Sequence, residues 1–226
     1  MKTNFLFYQL MILVTISVHS QTRKISINGS ETIKVINNKN VLQFEVNSGK
    51  EVERFNYGVF ESDTSIVNKS RFLTSDKDSK LKKSNYLSVN DSIFLVGIFD
   101  WKDRFYVFLF KRNENGKIVP YMQDGKVKEF FVSNVPYIYF DNKCKVIYNL
   151  YKEILEYNYK ESTKNYMIID IYNLNDINLQ QGLDINTIKL DADTFKFYSE
   201  LYDNNSVNFF GDVYKGLDKY LNLCGS

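Results

Sequence analysis

The 226-residue chain contains a single histidine, His19, and it lies within the first 20 residues. Those residues read as a segment that is removed, so the remainder carries no imidazole at all. That absence excludes Ser-His-Asp and Cys-His catalysis and the ordinary zinc sites, which lean on His or on four Cys. It also removes the side chain best matched to proton transfer near neutral pH. Proline occurs twice and glycine ten times, too few for long disordered linkers. No stretch after the first 20 residues is apolar for long enough to span a bilayer. The best candidate, Ile93 to Phe110, is interrupted by Asp100-Trp101-Lys102-Asp103-Arg104, and charges there are very costly in hydrocarbon. The sequence also lacks a GxSxG elbow, a phosphate-cradling loop and a dinucleotide fingerprint. We read no catalytic residue, no metal ligand set and no cofactor site from it.

What is present begins with a leader. Lys2 supplies a positive start, Phe5 to Val18 form an uncharged apolar run, and Val18-His19-Ser20 places small residues at the −3 and −1 positions of a cut before Gln21. This is the pattern of a secretory signal peptide, and its run is short of the ~20 residues a transmembrane helix needs. The cut removes one of the 29 basic side chains and none of the 27 acidic ones, leaving a nearly neutral product. Nothing in this balance suggests a nucleic-acid partner, which usually needs a clearly basic face. The expected product is periplasmic or secreted, with no stable membrane insertion after cleavage. The leader followed by Gln21, on an AT-rich composition, resembles the export style of secreted proteins of the Bacteroidetes group. That resemblance covers residues 1–21 only.

The first part of the mature chain alternates polar and apolar residues with a period of two. Arg23 to Ile27, Thr32 to Ile36 and Val41 to Val46 read as strands separated by Asn-rich turns, and Val52 to Phe60 as a fourth. Residues 61–85 are polar, and the charge run Asp76 to Lys83 reads as a solvated loop. Ser92 to Phe99 is nearly all apolar, as in a strand buried on both faces. Arg104 to Lys111 returns from it, Lys117 to Met122 follows, Asp124-Gly125 is a hairpin turn and Val127 to Val132 closes an antiparallel meander. After residue 140 the period changes. Val146, Ile147, Leu150, Tyr151, Ile154 and Leu155 follow i, i+3, i+4 spacing, which predicts a helix. Residues 166–172 read as a strand, about 193–202 as a short helix, and Ser206 to Leu221 as a final amphipathic helix. The expected fold class is α+β: an N-terminal antiparallel meander or sandwich with a C-terminal helical region packed against it. The expected organisation is a signal peptide at 1–20, a β-rich region at 21–135 and an α-rich region at 136–226, the last two forming one composite domain.

Two cysteines in an exported chain invite a disulfide. Cys144, at the front of the predicted helix, and Cys224, on the inward face of the last one, would close a loop of about 80 residues, worth ~3–5 kcal/mol in the chain-entropy model. The other alternative is two separate buried thiols. Asp100-Trp101-Lys102-Asp103 sets the only tryptophan at a hairpin tip between two carboxylates. Trp101 with Asp100 and Asp103 could grip a sugar or peptide; the simpler alternative is a turn whose Trp folds back onto the sheet. Tyr148, Tyr151, Tyr157 and Tyr159 read as packing residues with a polar handle. The acidic span from Asp170 to Asp193 lacks the alternating calcium-loop signature. These features point to an exported, non-enzymatic binding protein whose partner is a protein or an envelope glycan. The alternatives are a carboxylate-based hydrolase acting on polysaccharide and an inhibitor or immunity-type protein.

Overall fold

The computed structural model describes residues 21–61, 70–75, 81–134, 138–158, 161–174, 177 and 185–191. Every regular element among them is a strand. β1 (Gln21–Ser26), β2 (Glu31–Asn38), β3 (Val41–Ser48) and β4 (Val52–Val59) form a four-stranded antiparallel meander. β5 (Phe72–Ser75), β6 (Leu81–Ser84), β7 (Tyr86–Ser88), β8 (Ile93–Phe99), β9 (Phe105–Arg112) and β10 (Ile118–Pro120) follow. Then come the small hairpin of β11 (Met122–Gln123) and β12 (Lys126–Val127), and β13 (Phe131–Ser133). The last group is β14 (Ile138–Asp141), β15 (Val146–Asn158), β16 (Glu161–Asn173) and β17 (Ile185–Asp191).

Three sheets stack through two cores. The central sheet runs β10-β9-β8-β7, with β13 also pairing β9; a third sheet runs β17-β16-β15-β14-β5-β6. β8 and β9 are the shared wall. Phe94, Val96, Ile98, Phe108 and Phe110 face the first sheet and pack on Ile33, Leu42 and Phe44. Leu95, Phe99, Phe105, Val107 and Leu109 face the third sheet and pack on Phe72, Ile138, Phe140 and Ile147. A strand with both faces covered needs no alternation, which is why Ser92 to Phe99 is apolar throughout. Gly97 has a packing role. The Phe105 ring lies across it, and a Cβ there would stand 1.9 Å from Phe105 Cζ.

Several expectations are corrected. The predicted helix from Val146 is β15, paired with β14 through Tyr139↔Tyr148 and with β16 through Tyr148↔Ile171. Val146, Ile147, Tyr148 and Asn149 are all buried. A strand buried on both faces produces apolar residues at helical spacings by coincidence, and its β-branched and aromatic residues favour the extended form. The α+β class therefore gives way to an all-β arrangement among the described residues. The predicted helices beyond residue 192 lie outside them. Cys144 is buried in the β14–β15 turn, where Asp141 Oδ1 accepts from the backbone N–H groups of Lys143 (2.7 Å) and Cys144 (3.0 Å). Cys224 lies outside the described residues. The stretch expected as a loop at 61–85 contains β5 and β6, and β5 pairs β14 in parallel. The meander also breaks. β13 returns to β9, with Phe131↔Val107 in register, and does not continue from β10. The Asp124-Gly125 turn forms as read, both residues having positive φ (51° and 73°), the geometry of a two-residue hairpin loop.

Candidate functional site

The connection between β8 and β9 is five residues long, Asp100 to Arg104, and heavily braced. Asp100 is buried. Its Oδ1 accepts from the backbone N–H groups of Lys102 and Arg104, both at 2.9 Å, and its Oδ2 accepts from Arg104 Nε at 2.6 Å. The Tyr106 hydroxyl reaches the same oxygen at 3.4 Å. The Asp100 carboxylate in turn holds the Arg104 guanidinium above its ordinary range, chiefly through that hydrogen bond. Asp103 closes the turn in the left-handed region (φ 60°), a conformation that costs a non-glycine residue energy. Its carbonyl is held by Arg71 Nη2 at 2.7 Å, while Arg71 Nη1 donates to Ser133 O at 2.9 Å. Arg71 is itself buried, its guanidinium 4.6 Å from the centre of the Phe99 ring. From the outside, the backbone N–H of Trp101 donates to Glu61 O at 3.1 Å.

All of this holds the one aromatic side chain of the loop in solvent. Trp101 is 56% exposed, and the Lys102 ammonium lies 4.7 Å from its ring centre. Of the three residues that the sequence placed at this tip, Trp101 and Asp103 are exposed. Asp100 points inward, with its oxygens occupied by the turn. The tip presents an aromatic ring, not a pair of facing carboxylates.

A second feature lies beside it. An open cleft of ≈ 520 Å³ runs between the end of β4 and the β11–β12 hairpin, lined by Tyr57, Val59, Asp124, Lys126, Lys128 and Glu129, among others. Tyr57 links the cleft to the tip through ring contacts with Phe60 (6.0 Å between centroids) and from Phe60 to Tyr106 (5.1 Å). Burial, reinforced by the neighbouring Glu129 carboxylate and its hydrogen bond, holds the Tyr57 phenol above its ordinary range. It is therefore a protonated donor and not a nucleophilic phenolate. Sequence reading missed this residue; its only signal was an alternation of β4 that also fits plain packing. Asp124 is exposed at its hairpin tip, and Glu129 is paired with Lys128 Nζ at 3.2 Å. Neither carboxylate has the dry, isolated setting of a general acid.

Among the described residues no group of three or more His, Cys, Asp or Glu side chains is placed to hold a metal. A narrow cavity of ≈ 20 Å³ between the first and central sheets, lined by Gln21, Ile25, Asn85 and Val96 among others, has room for a water molecule. No family model, curated protein or solved structure matches the chain.

Proposed function

We propose that this chain is an exported, non-enzymatic binding protein that engages its partner with the Trp101 tip. One observation carries the reading: a buried aspartate, a buried arginine and a left-handed Asp103 together fix a five-residue loop whose projecting apolar group is an exposed tryptophan. Tryptophan is the side chain most enriched among residues that dominate binding energy. Holding it rigid before binding reduces the ordering cost on association. The leader and the near-neutral mature composition support a destination in the periplasm or outside the cell. A protein partner, including an enzyme or toxin blocked by this domain, and an envelope glycan both fit an aromatic tip flanked by a polar cleft. The exposed Asp124 and ion-paired Glu129 argue against a carboxylate hydrolase.

The test uses paired baits, wild type and Trp101→Ala, against envelope extracts and soluble glycan fragments. A partner retained by the first and lost by the second supports the reading; equal retention sinks it. Release of reducing sugar ends by wild type but not by Glu129→Gln would replace it with the hydrolase reading. The same export reading pairs Cys144 with Cys224. Alkylation of the native, unreduced protein leaves both unlabelled if they are bridged, and labelling of two thiols removes the pairing.

A further inference from the structure

Not every open sheet edge in this molecule is protected in the same way. Edge strands are normally blunted by lysine, proline, short length or bulges, because a free row of N–H and C=O groups recruits another chain. β1 carries Arg23 and Lys24, β6 carries Lys82 and Lys83, the seven-residue β17 carries Lys189, β10 is three residues long and ends in Pro120, and β7 is three residues long. β4 also carries charge, Glu53 and Arg54, and a bulge, but it has eight residues and ends in Val52 and Val59, which are 59% and 79% exposed. It is the last strand of its sheet, and among the described residues its backbone makes no hydrogen bond on the side away from β3. Its one irregularity is a bulge at Tyr57, where Asn56 pairs Gln43 and Gly58 (φ 131°) pairs Leu42. The bulge restores the outward facing of Val59, so Val52, Arg54, Asn56 and Val59 share the outer face while Phe55 and Tyr57 turn inward.

The ≈ 520 Å³ cleft runs beside this strand. On the basis of the binding reading above, we propose that an extended polypeptide segment of the partner docks along β4 as a fifth strand, with the cleft receiving its inward side chains and Trp101 meeting its end. A free strand edge offers alternating donors and acceptors about every 3.4 Å, a spacing that matches another backbone and not a sugar ring. On the opposite wall, Asp124 and Lys126 are of opposite sign and make no ion pair among the described residues, and Lys128 is already paired with Glu129. The wall therefore carries both signs and offers no field that selects a polymer of one charge. Trp101 is tied to Glu61, two residues beyond Val59, which puts both exposed apolar side chains at the same end of the groove.

The test selects binders to the purified exported protein from a phage-displayed dodecapeptide library. The expected result is that selected peptides slow hydrogen exchange at β4 amides. Methylating alternate backbone nitrogens of a selected peptide should weaken it by about tenfold or more, with the intervening set tolerated. Val59→Lys, at a site 79% exposed, should keep the melting temperature and weaken the same peptides. Peptides that protect other strands, or that tolerate methylation at every position, overturn strand docking and leave the Trp101 reading standing. If no peptide is selected while chitin or peptidoglycan oligomers shift Trp101 fluorescence, strand docking also fails and a glycan takes its place. Silence from both probes overturns both.

Discussion

The two ends of the β8–β9 hairpin are each closed by a buried carboxylate and an arginine, and they do different work. At the tip, Asp100 and Arg104 are four residues apart, and the carboxylate organises its own loop. At the base, Arg112 of β9 meets Glu31 of β2 across 81 residues, with Nη1 on Oε1 at 2.6 Å and Nη2 on Oε2 at 2.9 Å. This fork joins the first sheet to the central one at the edge of their shared core. Arg112 also donates to Gly116 O at 2.8 Å, bracing the next turn. The local pair shapes the exposed tip for which binding is proposed; the distant pair holds two layers in register. Loss of the first should therefore appear mainly in recognition, and loss of the second in stability.

The largest effect is expected between the two ends, where that comparison breaks for both at once. Gly97→Val drives a side chain into the Phe105 ring, which is fully buried and has no room to swing. A cost above about 3 kcal/mol is expected, beyond the usual range for overpacking, with expression or urea unfolding as the readout. Gly97→Ala combined with Phe105→Leu should recover part of it; no recovery would mean that the clash is not the cause. Next comes the base. Glu31→Gln leaves the Arg112 guanidinium without its carboxylate and should cost about 3 kcal/mol by urea denaturation. It should also flatten the acid limb. Arg112 hydrogen bonds hold the Glu31 carboxyl below the usual range, against an opposing push from burial; Lys34 and Arg54 do the same for Glu45. A carboxylate lowered on folding contributes stability that is fully present above its unfolded value, about 4.3, and lost as pH falls through the folded one. Wild type should therefore weaken below about pH 4, and Glu31→Gln should weaken less steeply over the same window.

What the sequence disclosed follows the same division between local and distant. The β8 and β9 strands were legible because burial on both faces leaves an unbroken apolar run. The Asp124-Gly125 turn was legible because only certain residues tolerate positive φ. The tip at Trp101 was legible as a polar break between two apolar runs. β15 was not. Residues 146–149 are buried on both faces, so the period-two signal vanished and the surviving spacing imitated a helix. The Glu31–Arg112 fork had no signal in one chain, since nothing at either residue names a partner 81 positions away. The buried role of Asp100 was hidden for another reason: a carboxylate beside a turn looks the same whether it faces a ligand or caps its own backbone.

The smaller effects test whether the tip is organised for presentation. Asp100→Ala removes the acceptor of two backbone N–H groups and of Arg104, and should cost about 2 kcal/mol without dissolving the sheets, which Glu31, Arg112 and both cores still hold. Trp101→Ala removes a side chain already 56% exposed and should change stability by no more than about 0.5 kcal/mol. The informative quantity is the pattern across the two. If the loop exists to present the ring, both variants lose partner binding, and Asp100→Ala loses it with Trp101 intact because the ring is no longer held in place. Trp101 is the sole tryptophan, so its fluorescence anisotropy reads that loosening directly: lower in Asp100→Ala than in wild type, while the aromatic signal of the cores is unchanged. An Asp100→Ala protein that keeps wild-type anisotropy and full binding would show that the buried carboxylate serves the turn alone.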